Sequence, residues 1–235
     1  LTETSPRTAA RIAGIGYLII FVLAIFANFV VREGLVDPDN AAATFANIAD
    51  SEFLFRAGIV SFLGVFIVDV VIAWALYVLF KNVSKELSLL TAWFRLVYTV
   101  FLGVALIFFF VVLDLVSGAG YLTAFEQGQL DAQVMLLLNA FNYAWLIGLA
   151  GFGVHLMLLG YMMLASGTAP KVLGILLAIA GAAYVFDTVA NALLSSYAEY
   201  ETLFLLIVAV PSVVGEMAFA VWLLRRGGVQ QEALQ

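Results

Sequence analysis

Cysteine is absent from this 235-residue sequence, and histidine occurs once, as His155. The first absence excludes disulfides, thiolate metal sites and cysteine nucleophiles together, and leaves the redox compartment open. A single histidine excludes a bis-histidine haem within one chain and the three-histidine zinc site of membrane hydrolases. Charge is equally scarce, at 11% of residues against roughly 25% in an ordinary soluble domain. A water-soluble surface cannot be assembled from so few charges. The net charge of −6 offers no basic face to displace counterions, so no nucleic-acid partner is expected. Serine-nucleophile motifs, phosphate-binding glycine loops and metal-spaced histidine pairs are missing as well, so neither a catalytic residue nor a metal site is assigned and the cofactor is unknown.

Hydrophobic residues make up 65% of the chain, and they fall into long runs rather than periodic stripes. Runs of about 18 or more residues read as bilayer-spanning helices. Six can be marked off, over 12–31, 53–80, 89–116, 132–165, 172–194 and 202–224. The fold class expected is therefore all-α, a polytopic transmembrane bundle of six spans forming one domain over 1–235, with the lipid bilayer as its main solvent. The first run is longer than a signal-peptide core and no small-x-small cleavage site follows it, so it reads as a retained helix. The fourth run, of about 34 residues, is about 51 Å long and exceeds the ~30 Å hydrocarbon core; it must protrude, kink near Gly148, Gly151 and Gly153, or divide. A capped, alanine-rich stretch between Asp39 and Ala49 predicts a short helix outside the membrane. Ala144 with Gly148, Gly174 with Ala178, and Ala178 with Ala182 would let helices approach closely.

Basic residues set the orientation, because short cytoplasmic loops retain them. Arg7, Arg11, Lys81, Lys85, Lys171, Arg225 and Arg226 all fall on one side of a six-span arrangement. The opposite loops hold Glu33, Asp37, Asp39, Asp50, Glu52, Glu126, Asp131, Glu199 and Glu201, with Arg32 the lone basic exception. Both termini are expected in the cytoplasm, and the location expected is the plasma membrane.

Ionisable groups inside the runs are the informative ones, since each costs roughly 2.5–3.5 kcal/mol in lipid unless it faces a partner or water. At 1.5 Å per residue, Glu216 lies about 13 Å in from Arg225 and Arg95 about 13 Å in from Glu86. His155 lies about 16 Å in from Ser166 and Asp69 about 18 Å in from Lys81. Four helices thus place one ionisable residue each at one depth. An arginine there needs a carboxylate, and Arg95 with Glu216 is the first pairing expected, Asp69 the second. Such a pair can equally fix helix registry without binding anything. Nearer the other face, Asp187 and Asn191 are one turn apart on one helix, with Asp114 and Arg56 at similar heights. They would line the mouth of a wet cavity or cap the bundle. His155 is a hydrogen-bonded structural residue or, if it titrates, a proton sensor. Pro211 and Gly215 precede Glu216 and could kink that helix.

Arg11-Ile-Ala-Gly14, Asp69 followed by Ala75-Leu-Tyr77, Trp93-Phe-Arg95, and Gly215-Glu216 with Trp222-Leu-Leu224 occur in order along the chain. Together they resemble the small polytopic membrane proteins of domain-of-unknown-function family 4386. The resemblance implies six helices and draws attention to Asp69, Arg95 and Glu216, but it carries no activity or substrate. Three classes stay open. One is a small-molecule or proton-coupled binding protein, transporter or sensor, with Asp69, Arg95, His155, Asp187, Asn191 and Glu216 as ligand or proton-relay candidates. Another is a carboxylate enzyme, with a hard metal ion on Asp69, Asp187 and Glu216. The last is a structural or assembly subunit.

Overall fold

A computed structural model describes residues 3–167 and 169–228; the ends of the expected domain, 1–2 and 229–235, lie outside them. The described chain is helical throughout, with no strand. Helix α1, Pro6–Ile25, runs into a π-helical stretch, Phe26–Arg32, and the short α2, Glu33–Leu35. Then follow α3 (Ala41–Asp50), α4 (Glu52–Phe80), α5 (Lys85–Val116), α6 (Gln127–Ser166), α7 (Lys171–Leu193) and α8 (Glu201–Arg225). Six segments are long and apolar enough to cross a membrane, the first being the continuous stretch Pro6–Leu35.

The spans coincide with the hydrophobic runs in number and order, and differ at their ends. The first helix begins at Pro6 rather than near residue 12, because proline suits the first helical position and Arg7 and Arg11 extend it beyond the apolar core. The fourth span is one uninterrupted helix of 40 residues, so neither a break nor a division occurs at its glycines. The short helix outside the spans is α3, capped by Asn40, whose side chain accepts a hydrogen bond from the Ala43 amide at 3.0 Å. The π-helical turn was not foreseen, since Phe26–Arg32 holds no proline or glycine to mark a change of helix type and its polar residues, Asn28 and Arg32, are compatible with an ordinary helix.

The described residues form two compact units. One comprises those of Ile20–Ile67 and Val100–Leu146. Its core is aromatic: Phe109 stacks on Phe141 with ring centres 3.9 Å apart, and Phe62 lies edge-on to Trp145 at 5.8 Å. Around them pack Phe55, Ile59, Leu102, Leu106 and Val134, all almost fully buried. A cavity of about 320 Å³ also belongs to this unit, walled by Phe45, Leu115, Leu122 and Leu130.

The other unit comprises the described residues of Leu1–Ile19, Val68–Thr99 and Ile147–Gln235. Here small residues set the helix spacing. A Cβ added to Gly153 would stand 2.5 Å from the Gly181 carbonyl oxygen, and one on Gly174 2.8 Å from that of Gly160, so α6 and α7 touch backbone to backbone. Gly160 also faces Ala178, which places the Gly174 and Ala178 pair at the contact the sequence spacing predicts. Gly16 lets α1 lie against Ile72 of α4. Arg7 closes the unit, donating to the carbonyls of Leu223 and Leu224, in the last turn of α8, at 3.1 and 2.7 Å and to that of Gly227, in the turn just after it, at 2.9 Å.

Candidate functional site

The second of these units contains a buried polar network built on Arg95. Thr91, Arg95 and Thr99 recur every fourth residue along α5 and so share a face. Asp69 meets that face from α4, His155 from α6 and Tyr17 from α1. Arg95 Nε donates to Asp69 Oδ1 at 2.9 Å, and Nη2 donates to the same oxygen. Nη1 donates to the Tyr17 hydroxyl at 2.7 Å and faces His155 Nε2 at 3.2 Å. Thr99 Oγ1 lies 3.4 Å from the second Asp69 oxygen and donates to the Arg95 carbonyl at 2.9 Å. The flat faces of the guanidinium rest on aromatic rings, 4.9 Å from the centre of Tyr17 and 5.3 Å from that of Phe152. Arg95 and Asp69 are each 1% exposed and His155 is fully buried.

Partner chemistry fixes the histidine. Nδ1 lies 2.9 Å from the Thr91 carbonyl, which can only accept, so Nδ1 carries the hydrogen. Nε2 faces an Arg95 N–H, which can only donate, so Nε2 presents its lone pair. In this arrangement both ring nitrogens are engaged, and none is left for a metal.

The ion pair expected first, Arg95 with Glu216, does not form; Asp69 takes its place. Depth favoured Glu216, at the same ~13 Å as Arg95, over Asp69 at ~18 Å, and a long guanidinium side chain spans that difference of about one helical turn. What separates them is reach: Asp69 projects onto the Arg95 face of α5 and binds two of its nitrogens. Glu216 is near enough to Arg95 and Asp69 to interact with their charges. It is half-buried, and no hydrogen bond or ion pair joins it to another described residue. On α8 it stands one turn beyond Ser212, which hydrogen-bonds the Tyr184 hydroxyl of α7.

Asp187 and Asn191 do come together, but with a tyrosine. The Tyr197 hydroxyl donates to Asp187 Oδ1 at 2.6 Å, with Asn191 close by, tying the end of α7 to the turn before α8. Arg56 is instead paired along its own helix with Glu52, at 2.6 Å. Among the described residues no three histidine, aspartate or glutamate side chains gather as metal ligands, so the triad Asp69, Asp187 and Glu216 is not assembled. Sequence reasoning missed Tyr17, Thr91 and Thr99. The threonines were findable as the residues four before and four after Arg95. Tyr17, ten residues or about 15 Å from Arg7, shares the depth of the ionisable groups, but carries no charge to single it out.

With that geometry in view, similarity to other proteins can be assessed. The family described as domain of unknown function DUF4386 matches residues 12–227, nearly the whole chain and every residue of the Arg95 network. This chain belongs to the DUF4386 family. An uncharacterized protein of Archaeoglobus fulgidus is 34% identical over 172 residues, covering 72% of this chain and 85% of that protein. No solved structure matches it. Membership in DUF4386 carries the integral-membrane character and no activity, so the chemistry must be read from the side chains.

Proposed function

We propose that this protein sits in the plasma membrane with both termini in the cytoplasm and acts as a proton-coupled or small-molecule binding protein, a transporter or sensor, whose working group is Glu216. The reading rests on one observation: Arg95 is hydrogen-bonded and ion-paired to Asp69, leaving Glu216 within a span with no hydrogen bond or ion pair among the described residues. A carboxylate in that position needs a counter-charge, which is a proton or a cationic group of a ligand. The Arg95 network then serves as its rigid support. Orientation follows from the basic residues, which gather at the ends of the spans that include both termini.

A hydrophobic carbodiimide tests this, because it adds to protonated, reachable carboxyl groups in membranes. The folded protein is expected to take one adduct, mapped by peptide mass to Glu216, and Asp69 is expected to stay unmodified. Glu216→Gln should abolish the adduct. Equal modification of Asp69, or an inert Glu216 in folded protein that reacts once unfolded, would refute the assignment.

A second reading has its own support. The Arg95 network joins four helices, is buried and is satisfied at almost every atom, which is what a registry device requires. An assembly subunit would need only that. It leaves the unpartnered Glu216 without a role, which is why the first reading is preferred. A carboxylate enzyme fares less well, since Asp69, the acid nearest to Glu216 in its electrostatics, is held by Arg95.

A further inference from the structure

Arg32 breaks the charge pattern of the sequence, standing among the carboxylates of the side otherwise poor in basic residues. Its hydrogen-bond partners are neutral, and the nearby Glu33 carboxylate acts on its charge without bonding to it. Nη1 donates to Asn28 Oδ1 at 2.8 Å and Nη2 donates to Asn142 Oδ1. Asn28 is itself oriented by donating to the Ala24 carbonyl at 3.0 Å. The guanidinium lies over the rings of Phe141 and Trp145, at 5.0 and 5.5 Å from their centres. None of the ion pairs among the described residues includes it, although Glu33 is next in the chain. Of its five N–H groups two are used, so three remain without an acceptor among the described residues.

Beside it is a second unmet donor. The Trp145 Nε1–H is buried and has no hydrogen-bond partner, the only side-chain group of which this is true among the described residues. A buried donor left unsatisfied costs about 1–3 kcal/mol, so it rarely persists without a reason. Arg32 also closes the π-helical turn Phe26–Arg32, a geometry that recurs at functional sites. All of these residues belong to one compact unit.

We infer that Arg32 and Trp145 form a binding site for a phosphate-bearing anion, with the asparagines holding the guanidinium in place and the aromatic rings backing it. The excess of donors, with no carboxylate bonded to them among the described residues, selects a multi-acceptor anion over a cation or neutral ligand. The site's level favours a phospholipid headgroup as the source. Arg32 stands three residues, about 5 Å, from the end of the first span, where headgroups lie. Phe29 and Tyr143, both 61% exposed, flank it and offer apolar surface for acyl chains. An arginine on this side is thereby compensated by lipid phosphate rather than by protein.

Native mass spectrometry of delipidated protein in neutral detergent provides the test, titrating phosphatidylglycerol, diacylglycerol with the same chains, and inorganic phosphate. Phosphatidylglycerol should be retained and diacylglycerol should not. Arg32→Gln should weaken retention by about tenfold or more, as expected for a lost charge-assisted hydrogen bond. Trp145→Phe keeps the ring and removes only the N–H, and should weaken it less but measurably; this variant serves if Arg32→Gln fails to fold. Inorganic phosphate that displaces the lipid supports the same anion chemistry with a free source. Diacylglycerol binding as well as phosphatidylglycerol, or unchanged retention in either variant, overturns the site.

Discussion

Removing Arg95 should be among the most damaging single changes in the chain, and the reason can be worked atom by atom. Arg95→Met deletes two hydrogen bonds to Asp69 and one each to Tyr17 and His155. Asp69, 1% exposed, is left with only a Thr99 hydroxyl at 3.4 Å. Breaking one side of a buried pair costs about 3–5 kcal/mol, most of it the stranded charge. Asp69→Asn strands the guanidinium in the same way and should cost a similar amount. Once one charge is gone the other is a liability, so the double variant should lose about 3–5 kcal/mol rather than the roughly 6–10 of the sum, giving a coupling of about 3 kcal/mol. Reversible unfolding in detergent, followed by helicity, reads all four corners of the cycle. Glu216→Gln combined with Arg95→Met is the comparison: those side chains interact through charge and share no hydrogen bond, so their coupling should be clearly smaller than that of Asp69 with Arg95. Additivity within about 0.5 kcal/mol for Asp69 with Arg95, or a coupling for Glu216 that exceeds it, would refute the assignment of the pair.

Three further outcomes follow from the same structure. Gly181→Ala, whose new Cβ would run into the Gly153 carbonyl, should destabilise by roughly 1–3 kcal/mol, whereas Gly128→Ala, with open space around it, should be neutral or slightly stabilising in the same unfolding assay. Reporter fusions after Gly227 and within 81–88 should read cytoplasmic and one within 37–50 external; a reversed pattern would displace the proposed orientation. Glu3 accepts a hydrogen bond from Lys81 at 2.8 Å, and that bond and charge hold its carboxyl below its ordinary value near 4.5 and raise the Lys81 ammonium above 10.5. The link is therefore present between those values and lost as pH falls through the depressed Glu3 value or rises through the elevated Lys81 value. Titration of Glu3 by NMR should show the depression vanish in Lys81→Met and shrink at high salt.

The spans were legible because a bilayer imposes a length on apolar runs, and that constraint survives any uncertainty at their ends. The level of the polar network was legible too, since the rise of a helix converts sequence distance into depth. Its wiring was not. Asp69 and Glu216 differ in depth by only about one helical turn, within the reach of an arginine, so the rotation of each helix about its own axis decides which of them touches Arg95. Rotation is set by contacts such as Gly16 on Ile72 and Gly153 on Gly181, which the sequence shows only as common small residues. Neutral partners were overlooked for a different reason: Tyr17 and Thr99 carry no charge to mark them, though they complete what the charged residues begin. Arg32 was visible as an anomaly of sidedness, but its asparagine clamp joins residues 110 positions apart and could be seen only in the fold.

The grip of Arg7 on the end of α8 has a consequence for assembly. Its acceptors at Leu223, Leu224 and Gly227 lie 216 to 220 residues further along the chain. Synthesis delivers α1 before the other described spans, so this guanidinium waits through the insertion of those between before its carbonyls exist. Joining α1 to α8 is therefore a late event, coming only after α8 is in place. A nascent chain truncated before Leu223 would display Arg7 without these acceptors.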